Sequence, residues 1–140
     1  MIRNERGFTL VELAVVVLII GILAAMAQPH YNHMRTRAQA AQAVSELDNL
    51  RSAVLRFQGL NHMWPPEAAA GIIPVGLQAQ LQDGYSFTKP GYTLDYDNWG
   101  GVPFVVGVTL VTSDTTLGDM IMQIVGNMWQ SGDRYSMVIE

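Results

Sequence analysis

The hydrophobic pattern divides the chain into three stretches of different period. Phe8 to Ala27 is apolar around its whole circumference and holds one ionisable side chain, Glu12. A helix apolar on every side belongs in a membrane or in complete burial. About 20 residues at roughly 1.5 Å rise suffice to span a bilayer. Val15, Val16, Val17, Ile19 and Ile20 are modest helix formers in water, but lipid forces every backbone group to pair within the segment. Gly21 and Pro29 are its weak points, and Pro29 predicts a kink. A carboxylate near the start of such a span costs a few kcal/mol at depth, on the order of 3, so Glu12 requires a partner.

Beyond Pro29 the apolar positions narrow to one stripe. Ala40, Ala43, Val44, Leu47, Leu50, Val54 and Phe57 follow steps of mostly three and four, with Asp48, Arg51, Ser52 and Arg56 off the stripe. That is an amphipathic helix. Its early part is narrow (Ala38, Ala40, Ala41, Ala43), which reads as helix–helix contact; its later part is wide, which reads as the anchor of a head. Gly59 is the expected C-cap, and Trp64-Pro65-Pro66 prevents continuation.

The third stretch alternates. Glu67 to Gln82 reads as loop with one helical turn near Leu77 to Leu81. Tyr92–Tyr96, Phe104–Thr112 and Tyr135–Ile139 read as strands. Thr115 to Gly126 reads as a helix capped by Asp114, with Leu117, Met120, Ile121, Ile124 and Val125 on one face. The predicted fold is α+β: a long N-terminal helix packed on a small antiparallel sheet of three to four strands. The expected division is residues 1–7 as leader, 8–28 as transmembrane helix, 29–59 as the amphipathic half and 60–140 as globular head.

Charge adds orientation and excludes partners. Arg3 and Arg6 precede the apolar run, which places the N-terminus in the cytoplasm. From Leu60 onward eight acids face two bases, Lys89 and Arg134, so no nucleic-acid footprint is predicted. The chain has no cysteine, and neither a disulfide nor a thiolate site is available. His30 and His33 stand three apart, but a break at Pro29 would spoil their geometry; His62 is remote. The aspartates lack a calcium-loop spacing. No metal and no cofactor are expected. No nucleophile elbow or phosphate loop occurs, so the chain reads as a non-enzyme. Of the aromatic residues, Tyr31 suits a membrane-interface position, and the tryptophans suit the core, with Trp129 able to pack on a neighbour. Two rival readings of the N-terminus are an uncleaved anchor and an ordinary signal peptide cut after Ala27, where Ala25-Met26-Ala27 gives a small-x-small site.

Gly7-Phe8-Thr9-Leu10-Val11-Glu12 resembles the processing motif of type IV pilins and type II secretion pseudopilins. The resemblance implies cleavage after Gly7 by a prepilin peptidase and N-methylation of Phe8. It implies that Glu12 pairs with the N-terminal amine of a neighbouring subunit, a partner created only by cleavage. Gly21 and Pro29 match positions bracketing a segment that loses helicity in filaments. The implied partners are other pilin-like subunits in a homo- or hetero-polymer and an inner-membrane assembly platform. The implied location is the bacterial inner membrane, then a periplasmic or surface filament. Asn61-His62-Met63-Trp64-Pro65 and the stretch Asp97 to Phe104 resemble pseudopilin segments more loosely. The missing cysteine pair and the missing Asp/Gly-rich C-terminal calcium loop depart from two branches of the family. A type II secretion pseudopilus subunit is the expected role, with a type IV pilus major or minor pilin as the alternative.

Overall fold

The computed structural model describes residues 7–101 and 105–139. The residues before Gly7, expected as leader, and Val102 to Phe104 of the Trp-Gly stretch lie outside them. The elements in order are α1 (Leu10–Asn61), a 3-10 turn (Leu77–Gln80), β1 (Thr88–Lys89), β2 (Tyr92–Asn98), β3 (Val106–Val111), α2 (Thr115–Val125), β4 (Trp129–Ser131) and β5 (Arg134–Val138). The chain forms two compact units, Met1–Arg35 and Thr36–Glu140.

In the first unit every described residue is exposed and α1 is the only element. The helix passes through Gly21 and Pro29 without interruption. Among the described residues it is the one helix long and apolar enough to cross a membrane.

The second unit is an α+β domain. Its sheet is antiparallel with five strands, ordered β1-β2-β3-β5-β4. Five strands exceed the expected three to four. β1 has two residues and β4 three, both too short to show alternation. β4 exists because Gly132, at φ 62, opens a two-residue hairpin turn that returns the chain onto β5.

One sheet face is apolar. Tyr92, Leu94 and Tyr96 of β2, Val106, Val108 and Leu110 of β3, and Tyr135 and Met137 of β5 are buried there. The α1 stripe closes over that core with Ala40, Ala43, Leu47, Leu50, Ala53, Val54 and Phe57. Ala40 and Ala43, expected in helix–helix contact, therefore belong to the core of the head, while Ala38 and Ala41 are exposed. α2 covers the same core with Leu117 and Ile121. Asp114 caps α2 as expected, accepting from the Thr116 and Leu117 amides at 3.0 and 3.2 Å. Ile124 stands outside the buried face and is half-exposed.

Two expectations are corrected. Gly59 is not the C-cap: α1 runs to Asn61, and His62 takes the left-handed position at φ 53. The His62 amide donates to the Gln58 carbonyl at 2.8 Å, and the Asn61 side chain donates to the Phe57 carbonyl at 2.9 Å. The helix stops where Pro65 forbids a following turn, not where glycine first permits one. The tryptophans are mostly peripheral: Trp64 packs partly on the core, and Trp99 and Trp129 are exposed. α1 continues through Pro29.

Candidate assembly and processing site

The residues singled out for processing and assembly lie at the start of α1. A β-carbon placed on Gly7 would meet nothing within 4 Å beyond its chain neighbours, and Phe8 is 84% exposed. Gly21 and Pro29 sit in helical backbone.

Glu12 has a partner within its own chain. The Thr9 amide and the Thr9 hydroxyl both donate to Glu12 Oε2, each at 2.9 Å. In return the Glu12 amide donates to Thr9 Oγ1 at 3.2 Å. The Leu13 amide donates to the Thr9 carbonyl, also at 3.2 Å. This is a reciprocal capping box, Thr-x-x-Glu, which satisfies orphan donors at the helix start. The expectation that Glu12 has no partner before cleavage is thereby corrected. The Thr9-Leu10-Val11-Glu12 spacing carries that signal, and Thr9 is the residue overlooked when the acid is read alone. Negative charge in the first turn also suits the positive end of the helix.

The second polar assembly lies on the sheet face away from α1. Asp95 and Asp97 point there because they alternate with Leu94 and Tyr96. Arg134 of β5 donates to Asp95 at 2.7 Å and to Asp97 at 2.8 and 3.1 Å. Thr109 donates to Asp97 and shares a 2.7 Å hydrogen bond with Ser136. Both aspartates and Thr109 are buried, and Asp95 Oδ1 has no hydrogen-bond partner. Burial pushes the Asp95 carboxyl up from its ordinary value. The Arg134 hydrogen bond and charge oppose that, and the Asp97 charge adds to it. One guanidinium thus ties β5 to the sheet centre.

A third group lies beside α1 in the head. Tyr85 donates to Glu46, and Lys89 pairs with Glu46 at 3.2 Å while standing 4.5 Å above the Tyr85 ring. Burial, then the Glu46 hydrogen bond and charge, push the Tyr85 phenol up. Arg56 donates to the Gln80 carbonyl at 2.8 Å. These contacts fasten the 80–89 segment to α1. The described residues contain no group of three or more His, Cys, Asp or Glu side chains able to hold a metal.

The chain thus carries an exposed apolar helix with a capped acid at its start and an α+β head on the second half of that helix. The family model "Prokaryotic N-terminal methylation motif" matches residues 2–28. A type IV major pilin, PilE1, of Neisseria gonorrhoeae is 44% identical over 69 residues, covering 49% of this chain and 32% of that protein. The fimbrial protein EcpC of Eikenella corrodens is 42% identical over 69 residues, 49% of this chain and 45% of that one. A fimbrial protein of Pseudomonas aeruginosa is 51% identical over 51 residues, 36% of this chain and 33% of its own. The similarity to these pilins and fimbrial proteins lies within about half of this chain. The chain spans less than half the length of the curated relatives it matches. No solved structure matches it.

Proposed function

We propose that this chain is the precursor of a structural subunit of a type IV filament. A prepilin peptidase cuts after Gly7 and methylates the new amine of Phe8. The subunit waits in the inner membrane as a single span with its N-terminus cytoplasmic, and an assembly platform adds it to the filament. Residues 8–28 form the membrane and assembly helix, residues 29–59 carry the head, and residues 60–140 form it. The observation that carries this reading is the Thr9–Glu12 box at the start of an exposed apolar helix. It holds a carboxylate ready beside the bond whose cleavage frees an amine. An ammonium from a neighbouring subunit would lower the cost of that acid in an apolar surround. The role is mechanical and needs no catalytic group or cofactor.

Mass spectrometry of the mature N-terminus tests the processing step. N-methyl Phe8 supports it. A chain starting at Gln28 is the product of an ordinary signal peptidase, and an intact Met1 is an uncleaved anchor; either result overturns the reading.

Within the filament class, the similarity to a type IV major pilin and a fimbrial protein favours a surface pilus. The cysteine-free sequence and the Trp99-Gly100 stretch favour the pseudopilus of type II secretion. Deleting the gene separates the two: loss of sheared surface filaments assigns the pilus, and loss of exoprotein release with filaments intact assigns the pseudopilus.

A further inference from the structure

We propose that the polar cleft between α1 and the 80–85 segment of the head is a binding site for a neutral saccharide. The cleft measures about 430 Å³, within the range of roughly 300–1,000 Å³ typical of small-ligand sites. Asn49, Ser52 and Arg56 line it from α1; they stand three and four residues apart, on one helix face. Gln82 and Asp83 line it from the opposite side. They belong to a β-turn closed by the Tyr85 amide on the Gln82 carbonyl at 3.0 Å, with Gly84 at φ 74. Glu46, Tyr85 and Lys89 also line the cleft and are fastened to one another. Arg56 donates one nitrogen to the Gln80 carbonyl at 2.8 Å. The two sides are thus fixed before any ligand arrives, which spares part of the ordering cost of binding.

The lining selects the ligand. Among the described residues, the side chains of Asn49, Ser52, Gln82 and Asp83 make no hydrogen bond or ion pair within the chain. Amides and hydroxyls donate and accept, a carboxylate accepts, and a guanidinium donates. A sugar hydroxyl does both, and the planar forks of Asn49, Gln82, Asp83 and Arg56 each present two polar atoms to a pair of neighbouring hydroxyls. Glu46 and Asp83 balance Arg56 and Lys89, so the cleft carries no net charge. A phosphate would meet two carboxylates. A calcium ion needs six to eight oxygens and would find one uncommitted carboxylate, Asp83, beside two cations. A peptide needs apolar pockets for its anchoring side chains, and Leu81 is the one aliphatic residue in the lining. The Tyr92 hydroxyl is buried without a hydrogen-bond partner, on a residue 5% exposed, and it lies within reach of the Glu46 charge. That unmet donor beside the cleft favours an oxygen-rich occupant. The inference uses the head alone and stands whether or not the chain joins a filament.

The test is an NMR titration of the full chain in dodecylphosphocholine micelles, whose headgroup carries no sugar. Glucose, galactose, mannose and N-acetylglucosamine are added singly. At least one should shift the Asn49, Ser52, Gln82 and Asp83 signals saturably, with a Kd on the order of 1 mM. This map needs no substitution. Asn49→Ala and Asp83→Ala should each weaken that binding by about tenfold, the effect of losing one strong hydrogen-bonding contact. Both positions are exposed, so the variants should keep the amide spectrum of the original chain elsewhere. Asp48→Ala, on α1 outside the cleft, should bind as the original chain does. No saturable shift with any of the four sugars overturns the proposal. So do shifts confined to residues outside the cleft, full binding by either cleft variant, or loss of binding in Asp48→Ala. Tighter occupation of the cleft by inorganic phosphate or by trialanine overturns it in favour of an anion site or a peptide site.

Discussion

Thr9 and Glu12 hold each other at the first turn of α1, the threonine donating twice to one carboxylate oxygen and receiving the Glu12 amide on its own hydroxyl. Capping and charge are therefore joined in one residue pair, and substitutions can separate them. Glu12→Gln keeps an acceptor oxygen for the cap but removes the charge. Thr9→Val keeps the charge but removes the hydroxyl cap, at a cost of about 1 kcal/mol. Glu12→Gln should abolish filament assembly, measured as sheared filament per cell, while cleavage after Gly7 continues. Thr9→Val should assemble at reduced yield, with faster hydrogen exchange at the Glu12 and Leu13 amides. Equal loss of assembly in both variants would assign the role to helix capping instead of charge.

Gly118 of α2 lies directly against the Tyr135 ring, and a β-carbon there would fall 2.0 Å from Tyr135 Cζ. Tyr135 is fully buried in the core and cannot swing aside. Gly118→Ala should therefore destabilise the head despite alanine's better helix propensity. The cost should reach the upper end of overpacking, about 3 kcal/mol, read as a lower urea midpoint. Adding Tyr135→Leu should recover part of it, since the two residues share one contact.

Gly107 gives the milder counterpart. A β-carbon there would meet the far end of the Trp99 ring at 2.5 Å and the Met137 carbonyl at 3.0 Å. Trp99 is 44% exposed and is free to rotate outward. Gly107→Ala should cost less than Gly118→Ala, about 1 kcal/mol. Its emission should shift to the red as Trp99 enters water, measured in a background with Trp64 and Trp129 replaced by Phe.

The elements legible in the sequence are those whose period runs long enough to repeat. The stripe from Ala40 to Phe57 and the alternation Tyr92, Leu94, Tyr96 both predict the buried faces correctly, and Ala53 is the one further stripe residue. β4 stayed hidden because three exposed residues have no buried side to alternate with; only Gly132 hints at the hairpin. The Thr9–Glu12 box is present in the sequence as the Thr-x-x-Glu spacing, and a capping box needs no more than that spacing at a helix start. The Arg134 cluster was not legible at all. Asp95 and Asp97 alternate with Leu94 and Tyr96 along a strand, and nothing in the sequence sets Arg134 beside them until β3 and β5 pair.

Arg134 pairs with two buried carboxylates, and removing it leaves both without a cationic partner. Breaking a buried ion pair costs about 3–5 kcal/mol; with the Arg134 side chain 36% exposed, about 2–3 kcal/mol is expected for Arg134→Met after solvent screening. The pH dependence follows from Asp95. Its folded carboxyl already titrates above the ordinary 3.8, so the folded state holds that proton more tightly than the unfolded one. That contribution is complete below the ordinary value and is lost as pH rises through the raised folded value. Without Arg134 the folded value rises further, and the window widens upward. The stability gap between Arg134→Met and the original chain should thus be largest at pH 7.5 and should narrow at pH 4.5, measured as urea midpoints at the two pH values. A gap that is unchanged or wider at pH 4.5 would show that Arg134 holds β5 by packing its stem and not by charge.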